Sequence, residues 1–252
     1  MYLYRGGEPP LAFSNSFLDI RVANDLSLWL NEPEALADAT GGKEPAEVFV
    51  HLTSPIEELD SLAPKIGRYT REDPSITAYG LHPQWRFLTT EAAIPAGAYI
   101  GELVGRIGRK EDYVSDPKNR WDLLEHPEPF VFFPPHLPIY IDVREEGNIF
   151  RYIRRSCNPN VEMKICTWAP ERGYHFCFFA IQELKPGEKL TMAWEAHLAG
   201  TLQILQNMKY NRKEGLEMMK PRVTNLLANF GGCACDISTG IPCPLDSVRR
   251  LG

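Results

Sequence analysis

Arg151-Tyr-Ile-Arg-Arg-Ser-Cys-Asn-Pro-Asn160 is the stretch on which the fold turns. It sets two adjacent guanidinium groups, Arg154 and Arg155, just before a thiol, Cys157. Some seventy residues later come Cys233-Ala-Cys235 and then Cys243-Pro244. The remaining cysteines of the six, Cys166 and Cys177, sit in apolar strand-like runs and read as core residues. The first residues lack the basic start and apolar run of a secretion signal, so a reducing compartment is expected. Clustered thiols in that setting more often bind metal than form disulfides.

The rest of the chain sets bounds. With 252 residues and 44% hydrophobic content it suits one large domain with additions, or two small ones, and has enough apolar residues for a core. Its net charge of −6 argues against non-specific nucleic-acid binding. No apolar run approaches the length of a membrane span. Residues 24–36 suggest a short helix interrupted near Pro33, residues 47–52 a strand, and residues 54–62 a helix capped by Ser54 with Pro55 first. From Trp85 onward short strands alternate with Pro/Gly turns: 85–90, 98–104, a hairpin of 129–133 with 139–143, then 174–181 and 189–194. Between them they predict a mainly β, α+β domain. Leu202, Leu205, Met208, Leu216 and Met219 recur at helical spacing, and Pro221 is placed to begin a second helix ended by Gly231-Gly232. The cations Lys209, Arg212, Lys213, Lys220 and Arg222 read as a solvated helical face, or less readily as a dock for an acidic partner.

Ser156-Cys-Asn-Pro-Asn160, Ile94-Pro-Ala-Gly97, Gly101-Glu-Leu-Val-Gly105 and Lys185-Pro-Gly-Glu-Lys-Leu-Thr191 together resemble the SET domain, the lysine methyltransferase fold, and the later cysteines resemble its post-SET segment. More narrowly, Phe130-Val-Phe-Phe133, Ile141-Asp-Val-Arg144, Arg151–Cys157 and Cys233-Ala-Cys235 are similar to a divergent subgroup, the fungal Set-three deacetylase-complex subunit and its animal relatives. The resemblance implies a β-clip-like fold in which residues 151–160 thread a neighbouring loop as a pseudoknot. It divides the chain into an N-terminal extension packing beside the core (1–83), the SET core (84–197), a helical insertion (198–231) and a zinc-bound post-SET tail (232–252). Spacing supplies three zinc ligands, Cys233, Cys235 and Cys243, and the resemblance implies Cys157 as the fourth; otherwise Cys157 is a free buried thiol.

The resemblance also marks losses. A SET enzyme cradles S-adenosylmethionine against a Gly-x-Gly that lets the backbone approach closely; counted back from Ile94, that place holds Trp85-Arg86-Phe87. The family's cofactor-contacting Asn-His is Arg154-Arg155, and a guanidinium accepts no hydrogen bond and repels the cofactor's sulfonium. These arginines are expected to pair with Asp142, Glu145 or Glu146, or else to bind an anion or an acidic peptide. The catalytic tyrosine position is Met192, and Trp194 follows, either packed or walling an aromatic channel; Tyr99, Tyr113 and Tyr140 stay open as substitutes. No catalytic residue is assigned. Any degenerate cofactor pocket is expected among Trp85, Arg86, Phe87, Arg154, Arg155 and Trp194, and S-adenosylmethionine binding is doubted. The implied role is a nuclear, catalytically impaired scaffold in a histone deacetylase complex, with protein partners, a histone tail among them, and a histone-reading finger elsewhere in a longer protein. The alternatives are an active lysine methyltransferase with an altered pocket and, least supported, a nucleic-acid binder through Arg154, Arg155 and the 209–222 cations.

Overall fold

A computed structural model of the chain describes residues 10–72, 80, 82, 84–169, 173–195, 198, 212–235 and 242–250. Strand β1 (Ser16–Phe17) leads into helix α1 (Ile20–Asn31), whose first turn is capped by the Asp19 carboxylate accepting from the Arg21 and Val22 amides. Pro33 does not break this helix; it takes the first position of α2 (Pro33–Thr40), where its missing N–H costs nothing. The strand expected over 47–52 is shorter. Pro45 opens a helical turn, α3 (Pro45–Val48), which the Glu47 carboxylate closes by accepting from the Glu44 amide at 2.9 Å, and only β2 (Phe49–His51) is extended. Next, α4 (Ile56–Leu62) begins one residue later than expected, with Pro55 rather than Ser54 at its cap.

Strands β3 (Ile66–Glu72) and β4 (Gln84–Thr90) form an antiparallel ribbon. They precede β5 (Tyr99–Leu103), β6 (Arg106–Arg109), α5 (Lys110–Ser115), α6 (Trp121–Leu124), β7 (Val131–Phe132), β8 (Ile139–Asp142), β9 (Arg154–Ser156), β10 (Val161–Trp168), β11 (Gly173–Ala180) and β12 (Thr191–Ala193). Two four-stranded sheets, in the orders β1-β6-β8-β7 and β2-β10-β11-β5, carry the main core, which includes Leu103, Ile107, Ile141, Ile165 and Phe178. β1 and β2 each join a sheet built mainly from later strands.

The segment singled out in the sequence is held from across the chain. β9 lies parallel to β12, with Arg154 opposite Thr191 and Arg155 opposite Met192. Beyond it, the Asn160 side chain accepts from the Thr191 amide at 2.8 Å and donates to the Lys189 carbonyl at 2.8 Å, while its own carbonyl receives the Ile181 amide at 2.9 Å. A buried Asn with both ends satisfied fixes this crossing.

Helix α7 (Arg212–Phe230) contains Pro221 in its interior, where a second helix was expected to start. The turns after the proline are held by tertiary packing: Val223, Leu226 and Leu227 are buried against Trp194, Leu198, Leu245 and Val248. Met219 packs at the edge of this cluster, whereas Leu202, Leu205, Met208 and Lys209, and the side chains of Arg212, Lys213 and Leu216, lie outside the described residues. Helix α8 (Pro244–Arg249) closes the described chain. No described helix is long and apolar enough to cross a membrane.

Candidate functional site

The Sγ atoms of Cys157, Cys233, Cys235 and Cys243 all lie within 4.8 Å of one another. Cys157 is 3.6 Å from Cys233 and 4.0 Å from Cys243, and Cys233 is 3.4 Å from Cys235. These separations are close to the roughly 3.8 Å edge of a tetrahedron built on metal–sulfur bonds of about 2.3 Å. Four thiols at that spacing could hold a metal ion. Each is positioned by the backbone. Cys157 follows β9; the Ala234 amide between two of the ligands donates to the Arg155 carbonyl at 2.8 Å; Cys243 is the cap of α8, its sulfur 3.5 Å from the Asp246 amide. The Trp194 indole donates to Cys233 at 3.3 Å and the Ser156 hydroxyl to Cys235 at 3.5 Å. Hydrogen bonds from Cys157 and Cys243, aided by the indole, hold the Cys233 thiol far below the ordinary value, while the same bond pushes Cys157 up. Cys166 and Cys177 are fully buried in the second sheet, away from this cluster.

The two arginines do not meet the carboxylates expected of them. Asp142 pairs with Arg144, and Glu145 and Glu146 with Arg106. Arg154 instead donates to three successive main-chain carbonyls at the end of α7: Phe230 at 2.7 Å, Gly231 at 3.1 Å and Gly232 at 3.2 Å. Helix carbonyls at a C-terminus lack internal partners and carry partial negative charge, so a half-buried guanidinium fits there. Arg154 also lies 5.7 Å from the Trp85 ring centre. Arg155, 3% exposed, reaches towards the carbonyls of Val131 at 3.4 Å and Ala193 at 3.5 Å, with its guanidinium 4.9 Å from the Phe132 ring centre. Burial pushes its pKa down to about 10, opposed by the charge of Glu195.

Trp85 packs edge-tight on Gly231, where an added Cβ would lie 2.3 Å from the indole. Gly231 also has φ +67°, a second reason for glycine there. Arg86 points elsewhere, donating to the Tyr152 hydroxyl at 2.9 Å, and Phe87 stacks on Tyr69. Met192 is a buried core residue. Trp194 is 3% exposed and boxed by His126 and Phe230, ring centres 5.3 and 5.2 Å away, so it packs rather than lining an open channel. Of the six pocket positions, Trp85 and Arg154 are thus in contact and share the Phe230–Gly232 turn with Trp194, whereas Arg86, Phe87 and Arg155 face other neighbours. Tyr113 and Tyr140 are buried in a separate aromatic cluster, and the Tyr99 hydroxyl bonds Asp60. The sequence reading missed His126, Phe230 and the Gly232 carbonyl; only the paired glycines hinted at a tight turn there.

The SET domain family model matches residues 86–195. Residues 86–195 are a SET domain. The chain is 32% identical over 166 residues to "SET domain-containing protein 4" of Saccharomyces cerevisiae, covering 62% of this chain and 29% of that protein. It is 36% identical over 152 residues to "SET domain-containing protein 3" of Schizosaccharomyces pombe, covering 58% and 18%. The chain therefore spans less than a third of either relative's length. "Inactive histone-lysine N-methyltransferase 2E" of Mus musculus is 29% identical over 44% of this chain and 6% of its own. Relatives without that prefix, such as "Histone-lysine N-methyltransferase Set2" of Drosophila melanogaster, match a comparable 43% of this chain. Similarity alone does not separate the two kinds.

Proposed function

We propose that this SET domain belongs to a nuclear, chromatin-associated protein, has lost or nearly lost methyl transfer, and serves as a scaffold in a histone deacetylase complex. The observation that carries this reading is Arg154. At a position the family uses for cofactor contact, it is spent on the chain's own Phe230, Gly231 and Gly232 carbonyls. Trp85 in the glycine position and Met192 in the tyrosine position point the same way: no small residue admits the donor closely, and no hydroxyl orients an attacking amine.

In the same reading, Cys157, Cys233, Cys235 and Cys243 hold a structural zinc ion. A closed four-sulfur set suits tetrahedral zinc and leaves no coordination position for chemistry. The ion would supply cohesion, tying α8 and the 231–235 turn to β9, since a segment this short buries too little to hold itself. Metal analysis of protein purified without chelator tests this: one zinc per chain is expected, and a stoichiometric absence overturns it.

The function is tested by incubating zinc-replete protein with labelled S-adenosylmethionine and histone tail peptides, and by capturing the tagged protein from nuclear extract. No label transfer, with deacetylase activity in the captured material, is expected. Relatives named as methyltransferases over the same region favour the alternative, an active lysine methyltransferase with an altered site. Turnover above background would establish that alternative, and capture without deacetylase activity would remove the complex assignment. Nucleic-acid binding through Arg154 and Arg155 is not carried further, because both side chains are turned inward.

A further inference from the structure

Among the described residues, strand β3 is the longest open sheet edge. β4 is paired on both sides. One side meets β3 through seven successive residues; on the other, the Thr90 amide donates to the Glu188 carbonyl at 3.1 Å and the Leu190 amide to the Leu88 carbonyl at 2.9 Å. No other described strand pairs with β3. At seven residues it exceeds the other edge strands, β1, β2, β5, β7, β9 and β12, which run from two to five. Proteins usually blunt such an edge with a proline, a lysine, a bulge or a covering segment. β3 has no proline, no lysine and no break in its register, and residues 68–72 are all exposed.

The bonds of β4 fix which main-chain groups of β3 point outward. Leu88 and Thr90 bond the 187–190 segment, so they face away from β3, whereas the Glu91 amide donates to the Lys65 carbonyl at 3.0 Å. Orientation alternates along an antiparallel pair. Lys65, Gly67, Tyr69 and Arg71 therefore turn their main-chain groups to β4, and Arg68, Thr70 and Glu72 turn theirs to solvent. A second β3 laid antiparallel must set outward residues against outward ones, so each possible register is centred on one residue facing its own copy. Arg68 or Arg71 at the centre puts like charges face to face. Tyr69 at the centre sets Arg68 against Thr70 and Arg71 against Gly67, with no charge matched. Thr70 at the centre sets Arg68 against Glu72, Tyr69 against Arg71 and Thr70 against itself. Opposite charges and threonine pairs directly across a sheet stabilise it, and like charges destabilise it. A guanidinium over Tyr69, 52% exposed, adds a cation–π contact. The charges that guard this edge against strands of other sequence thus match a second copy of it.

We propose that two copies of this chain pair through β3, antiparallel about Thr70, into a twofold-symmetric dimer with one sheet running through both. Thr70 exchanges two main-chain hydrogen bonds with its copy, and an Arg68–Glu72 pair flanks it on either side. Each copy's edge is used up by the other, so association stops at two. A seven-residue strand spans roughly 23 Å and buries well under the roughly 1,600 Å² of a standard interface. The dimer is therefore weak and forms at high local concentration, as two copies held in one assembly would have. The proposal is independent of whether the domain transfers methyl groups.

The test is sedimentation velocity of the full chain from about 1 µM to about 1 mM. A monomer–dimer equilibrium with a dissociation constant of roughly 10–500 µM is expected, with no larger species. Thr70→Pro deletes an outward amide and leaves the bonds to β4 in place. It should weaken the dimer at least about tenfold. Glu72→Arg should also weaken it about tenfold, since a second cation would then face Arg68 at both symmetry-related sites. The double exchange Arg68→Glu with Glu72→Arg should restore dimerisation to within about threefold, because opposite charges again face each other. Thermal melting checks that each variant is folded, including any cost of uncovering the Tyr152 ring, whose centre lies 5.7 Å from the Arg68 guanidinium. A chain monomeric over the whole range, a dimer indifferent to Thr70→Pro, or a double exchange that does not restore what Glu72→Arg removed would each overturn the proposal.

Discussion

Two corners of this molecule meet at β9 and have gone different ways. On one side, Cys157 faces Cys233, Cys235 and Cys243, a complete sulfur set with spacings fit for a metal. On the other, Arg154 and Trp85, which the family resemblance sets at the cofactor, contact each other and the end of α7. The two corners share a turn: the glycines that Arg154 grips run straight into Cys233. In the proposed reading, interactions that assemble the domain are kept, whereas groups that would do chemistry have been exchanged for groups that strengthen assembly. The contrast teaches that a fold's architecture and its reaction can be separated one side chain at a time.

The comparison can be broken most forcefully at the sulfur corner. Cys157→Ser should drop metal content to near zero and abolish amide-exchange protection over 231–235 and 242–250, leaving β10 and β11 protected; structural zinc is worth on the order of 10 kcal/mol in small zinc-dependent folds. Retained metal or retained protection would show that the cluster is not the clasp. Arg154→Ala comes next. Losing one half-buried cation that serves three carbonyls should destabilise the protein by about 1–3 kcal/mol in urea unfolding, and a loss below about 0.5 kcal/mol would mean that the α7 turn holds without it. Gly231→Ala should cost roughly 1–3 kcal/mol by the same measurement, from its positive φ and from the collision with Trp85. The smallest effect expected is Met192→Tyr: no methyl transfer should appear, since the restored hydroxyl would still lack a cofactor beside it. Activity in that variant would place the defect at the tyrosine position alone.

Much of this was legible in the sequence. The hairpin around 134–138, the long strand at 174–181 and the cysteine cluster follow from alternation, turn residues and thiol spacing, all local signals. What was not legible depended on distant partners. Arg154 was matched to acids nearby in sequence, but Arg144 and Arg106 already hold those, and main-chain carbonyls 76 to 78 residues away leave no trace in residue type. Pro221 signals a helix start by its own geometry, yet packing of Val223, Leu226 and Leu227 carries the helix through it. Glu47 reads as part of a strand until its bond to the Glu44 amide is seen.

The central claim, that this SET domain has closed its cofactor corner on itself, is tested most directly by titrating zinc-replete protein with S-adenosylmethionine in a calorimeter. The account predicts no heat of binding up to millimolar ligand, an affinity weaker than about −4 kcal/mol. Saturable micromolar binding would contradict it and would mean that Arg154 and Trp85 yield to the cofactor.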